Sequence, residues 1–170
     1  ARRGRAGVGK EKSAPVADAY LENFRHFERE APQPAWMLPL RQGGFARFTE
    51  LGFPTLQHED WRFTNVAPIA KLPFKPALAA PADGLAAEAL KHFPFASLPG
   101  PRLVFVNGHY AAALSRIGRL PAGVKVANVA AVLAREPALL EPHLVPSSSA
   151  GDNAFTALNQ AFFLDGGFIH

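Results

Sequence analysis

Leu103-Val104-Phe105-Val106-Asn107-Gly108-His109-Tyr110 is the stretch on which the fold class turns. Valine and phenylalanine suit a pleated, half-buried strand. Asn107-Gly108 is the preferred pair for a two-residue turn in which both positions take positive φ. The stretch therefore predicts a β-hairpin, with His109 to Leu114 returning as the second strand. Helical spacing dominates the chain before it and short strand patterns recur after it, so the expected class is α+β.

Upstream, seven prolines between Pro68 and Pro101 predict an extended connector, interrupted by a short helix from about Gly84 to His92. Before the connector two longer helices are expected. Ser13 is placed to cap the first, with Pro15 in its opening turn and Tyr20, Phe24 and Phe27 on one face through about Glu30. The second runs from about Ala35 to Leu51 with Leu38, Phe45, Phe48 and Leu51 apolar. Gly43-Gly44 weakens its middle, Gly52 stands at C′ and Pro54 blocks continuation. The expected organisation is a flexible basic tail (1–15), a helical domain with its Pro-rich connector (16–100), and a β-containing region (101–170).

Downstream, Val124 to Val129 predicts a strand and Ala130 to Arg135 a short helix stopped by Pro137, with one more turn over Leu139 to Leu144. Pro146 to Gly151 predicts a loop, after which Asp152 or Asn153 caps a helix carrying Phe155, Leu158 and Phe162. Phe168-Ile169 predicts a strand that ends with the chain. No charge, proline or later segment protects its edge, so the expectation is a sheet that continues past His170 in a longer protein.

At 170 residues, a chain buries roughly 70% of its unfolded surface. Hydrophobic residues at 48% and charged residues at 19% argue for a soluble globular fold, and the longest apolar runs are too short to span a bilayer. The absence of cysteine excludes a thiol nucleophile, a disulfide and a thiolate-held metal or iron–sulfur site within these residues. The pI near 9.8 comes from Arg2, Arg3, Arg5, Lys10 and Lys12 against Glu11, and the 13 basic and 13 acidic residues that remain cancel. A neutral body gives no basic face for nucleic acid. Gly4 to Lys10 imitates a phosphate-binding loop, but Glu11 replaces the hydroxyl that would meet magnesium and only three residues precede the first glycine.

The densest polar cluster is His58-Glu59-Asp60-Trp61-Arg62-Phe63-Thr64-Asn65. A helical zinc motif needs histidine where Arg62 stands, and the histidines at 26, 92, 109, 143 and 170 are scattered. The structural reading docks Trp61 and Phe63 into the helical core, with Tyr20, Phe24, Phe27, Phe45 and Phe48. Glu59 or Asp60 then pairs with Arg62 or caps a turn. The enzymatic alternative is a small α/β hydrolase-type domain working through His58, Glu59 and Asp60, which requires a concave pocket around them. No Gly-x-Ser-x-Gly elbow is present, and Ser147 to Ser149 fall in the loop.

Leu51-Gly52-Phe53-Pro54-Thr55 followed by Glu59-Asp60-Trp61-Arg62-Phe63-Thr64 resembles the N-terminal motif of the SufB/SufD family of iron–sulfur cluster assembly scaffolds, SufD chains above all. Arg102 to Tyr110, Asp152 to Asn159 and Ala161 to Gly166 are similar to the family's later segments, in the same order. Phe63 stands where tyrosine is frequent. The resemblance implies a helical N-terminal domain leading into the first strands of a right-handed parallel β-helix, truncated here. It also implies a noncatalytic cytoplasmic scaffold whose SufB-like and SufC-like partners bind mostly beyond residue 170, with no nucleic acid and no membrane. It places no catalytic, cofactor-binding or metal residue on this segment, and gives Glu59, Asp60, Trp61, Arg62, Phe63 and Thr64 a structural role. The cluster is built on residues outside it.

Overall fold

The computed structural model describes residues 14–31, 34–79, 85–144 and 153–170. The tail with its imitation phosphate loop, Ser13 and the 146–151 loop lie outside those residues, as does Asp152. Helix α1 spans Ala14–Glu30 and buries Tyr20, Phe24 and Phe27. Helix α2 spans Met37–Leu51, and its buried residues, Met37, Leu40, Arg41, Gly44, Phe45 and Phe48, follow the three-then-four spacing of one helical face. Leu38, assigned to that face from sequence, is on the exposed side. Gly52 ends the helix at φ 63°, and its N–H donates to Phe48 O at 2.8 Å.

A 3-10 turn (Glu59–Trp61), the one-turn α3 (Ala67–Ala70) and α4 (Leu85–Lys91) follow, the last where the short connector helix was expected. Strands β1 (Phe105–Val106) and β2 (His109–Tyr110) form the hairpin, with Asn107 at φ 50° and Gly108 at φ 82° as the turn requires. The return strand is shorter than expected, because Ala112–Leu114 curls into a 3-10 turn. Arg102 clasps the region, donating to Ala96 O at 2.8 Å and to Leu114 O at 3.1 Å.

Strand β3 (Val126–Asn128) leads into α5 (Val129–Arg135), and Asn153 caps α6 (Ala154–Ala161) by accepting from Phe155 N–H at 2.9 Å. Strand β4 (Gly167–Ile169) pairs antiparallel with β3, Phe168 opposite Ala127. Here the expectation of an unprotected final strand is corrected: one edge is paired and Phe168 is buried, while Ile169 is 78% exposed. Both two-stranded sheets are antiparallel, so the described residues contain no turn of a parallel β-helix. The physical reason is local. A tight Asn-Gly turn closes only an antiparallel pair, and β4 returns to β3 running the opposite way.

Two apolar clusters form the core. One joins Tyr20, Phe24, Phe45 and Phe48 to Ala154, Ala157 and Ala161; the other joins Met37 to Val129, Val132, Leu133, Leu140 and Phe168. Each draws on both sides of residue 100. The aromatic rings interlock, with Phe24 stacked on Phe45 at 4.5 Å and edge-on to Phe162 at 5.7 Å.

Candidate interaction surface

The polar cluster of the 58–65 motif sits on the exposed 3-10 turn. His58, Glu59 and Asp60 are all exposed, and none lines the cavity described below. His58 is engaged locally, its Nδ1 accepting from Thr55 N–H at 3.0 Å. That cavity therefore lends the hydrolase reading no support. Trp61 is half-buried, tilted against Phe155 at 5.3 Å.

Phe63 is not a core residue: it is 88% exposed. Its ring is covered on one face by the Arg62 guanidinium, 4.7 Å from the centroid. That stacking also corrects the expected pairing of Arg62 with Glu59 or Asp60; no such ion pair occurs among the described residues. The reason is the short turn, which sends Trp61 inward to α6 and the next two side chains outward. Thr64 is exposed, its N–H closing the turn on Trp61 O at 2.9 Å.

The connector carries more exposed apolar surface than its prolines advertise. Ile69, Leu72, Phe74, Phe93, Phe95 and Leu98 are all exposed, Phe95 by 74%. Part of the connector is fixed. Asn23 Nδ2 in α1 donates to Phe74 O at 2.7 Å, and His109 Nε2 in β2 meets Ala77 O at 2.6 Å. These two bonds tether the 74–77 end of a strap, residues 69–77, to α1 and β2. Beneath the strap lies a cavity of about 470 Å³, lined among others by Phe27, Phe53, Phe74, Phe155 and Phe162. Sequence reasoning missed it, because a proline-rich segment has no period from which to read an inner face.

Two further residues were illegible in the sequence. Arg41 is 1% exposed; it donates through Nη2 to Phe163 O at 2.6 Å and lies 4.8 Å over the Phe27 ring. Burial lowers its pKa to about 10, partly opposed by Glu28, so it stays charged at neutral pH. Asp165 accepts from Asn128 Nδ2 at 2.9 Å and from the N–H groups of Ala130 and Gly166 at 2.8 Å, capping α5 from a distant segment. Among the described residues no cluster of three or more metal-ligating side chains forms, and no helix is long and apolar enough to cross a membrane.

A sequence model described as the SufBD protein N-terminal region matches residues 14–170, nearly the whole chain. The chain belongs to that family. No individually curated protein matches it. The SufBD match is shared by SufB and SufD, so it supports the family and not the SufD side of the resemblance. Membership implies a part in the iron–sulfur cluster assembly complex of the SUF system, in which the family's members are scaffolds.

Proposed function

We propose that this chain is the N-terminal domain of a SufD-type scaffold subunit, contributing structure and contacts and no catalytic group. It leads into the right-handed parallel β-helix of its family and acts in the cytoplasm beside SufB-like and SufC-like subunits, away from nucleic acid and membrane. The observation that carries membership of the scaffold family is the match over residues 14–170, and the SufD-type assignment rests on the likeness of the segments around Gly52 to Thr64 and Arg102 to Tyr110. Three features agree with it. The chain has no cysteine to offer a cluster, so the iron–sulfur unit, as cargo, is assembled on other residues. The polar motif faces solvent on a turn, where it shapes the surface around Phe63. The exposed apolar residues of the connector offer area to partners.

The gene product that contains this chain is to be co-expressed with the SufB-like and SufC-like proteins of the same genome, and the purified assembly weighed by native mass spectrometry. One copy of this protein per SufB-like subunit is the expected result. A product that pairs only with itself, or that ignores both partners, overturns the SufD-type assignment.

A further inference from the structure

The proposed function gives no role to the cavity under the 69–77 strap. Its volume of about 470 Å³ lies within the range of roughly 300–1,000 Å³ in which small organic ligands are held. Its wall is aromatic, and the strap above it is already tethered through Phe74 O and Ala77 O. A site formed in advance spares a ligand the cost of ordering it.

The polar groups at the cavity divide into two sets. Asn23 is committed to Phe74 O, and the Asp165 carboxylate to three N–H donors. The Tyr20 hydroxyl, Lys75, Asn107 and Asn159 make no side-chain hydrogen bond or ion pair with the described residues. Asp165 keeps its charge but both its oxygens are occupied, so the groups open to a ligand are the Lys75 ammonium, the Tyr20 hydroxyl and two amides. We infer that it binds a small aromatic anion, the rings lying against Phe74 and Phe155 and the acid group meeting Lys75 Nζ, with amide donors from Asn107 and Asn159 beside it. The inference is independent of whether the subunit is of the SufB or the SufD type. A compact molecule suits a site bounded by a strap tethered at Phe74 and Ala77 better than an extended peptide does.

Anilinonaphthalene sulfonate, an aromatic anion, and phenylnaphthylamine, its uncharged relative, are the probes. Each is titrated by fluorescence into the full-length protein, and folding of every variant is checked by circular dichroism melting. Saturable one-to-one binding of the sulfonate is expected. Lys75→Met, at an exposed position, is expected to weaken the sulfonate at least about three-fold and to leave the neutral probe unchanged. Asn159→Trp, which fills the cavity, is expected to abolish both. Phe95→Ser, at an exposed position outside the cavity, is expected to change neither. Non-saturating binding, a sulfonate affinity indifferent to Lys75→Met, or equal loss in Phe95→Ser overturns the inference. So does displacement of the sulfonate by the SufB-like and SufC-like partners, which would assign the cavity to a protein segment. Failure of the complex to form bears on the proposed function alone.

Discussion

Gly43 and Gly44 are neighbours in α2 with opposite consequences. A Cβ on Gly44 would lie 2.9 Å from both Ala157 O and Ala161 N, whereas one on Gly43 meets nothing within 4 Å. Gly44→Ala is therefore expected to cost about 1–3 kcal/mol, because backbone cannot move aside as a flexible side chain can. Gly43→Ala is expected to stabilise by up to about 1 kcal/mol, since alanine is the better helix former. Denaturant unfolding of the two variants checks both signs. Trp61 and Phe63 form a similar contrast. Trp61→Ala is expected to cost about 1–2 kcal/mol for a half-buried ring against Phe155, and Phe63→Ala less than about 0.5 kcal/mol. Equal losses in the same unfolding measurement would put Phe63 back in the core. The sequence shows a tryptophan and a phenylalanine two apart in a motif; only the turn geometry decides which faces inward.

Helices were legible where their faces were uniformly apolar and obscure where a special residue interrupted them. Tyr20, Phe24 and Phe27 announce α1, and Asn107-Gly108 announces the hairpin, because each rests on chemistry local to the chain. The buried face of α2 is hard to read because it holds a charged arginine and a glycine. Arg41 is there to bind a carbonyl in the segment after α6, and Gly44 to let α6 approach, so both depend on residues more than a hundred positions away. The cap of α5 is similarly remote. Asp165→Ala is expected to cost about 1–2 kcal/mol, with faster amide exchange at Ala130 and through the first turn of α5. Unchanged exchange there, measured by NMR, would show that Asn128 holds the helix alone.

At the scale of the molecule, the candidate site was the least legible part, since the strap, the cavity and the exposed rings arise from how a proline-rich segment lies across α1. The same holds for the division of the chain. A boundary near residue 100 follows from composition, yet α6 completes the aromatic cluster of α1 and α2. Ending the chain after Leu144 is therefore expected to unfold the helical region along with the rest. The readout is loss of the near-ultraviolet circular dichroism of the packed aromatic rings and of a cooperative melting transition. A shortened chain that melts sharply, with those rings still ordered, would make residues 14–100 a unit of their own.

The lock of α6 against α2 also sets an order of events during synthesis. The first two helices emerge from the ribosome with Phe24, Phe45 and Phe48 lacking their cover, and they wait for roughly a hundred further residues before Ala157 and Ala161 arrive. At about 5–20 residues per second, that delay lasts several seconds or more, long enough for uncovered rings to find one another on neighbouring nascent chains. Production of this protein should then depend on chaperones that guard the growing polypeptide.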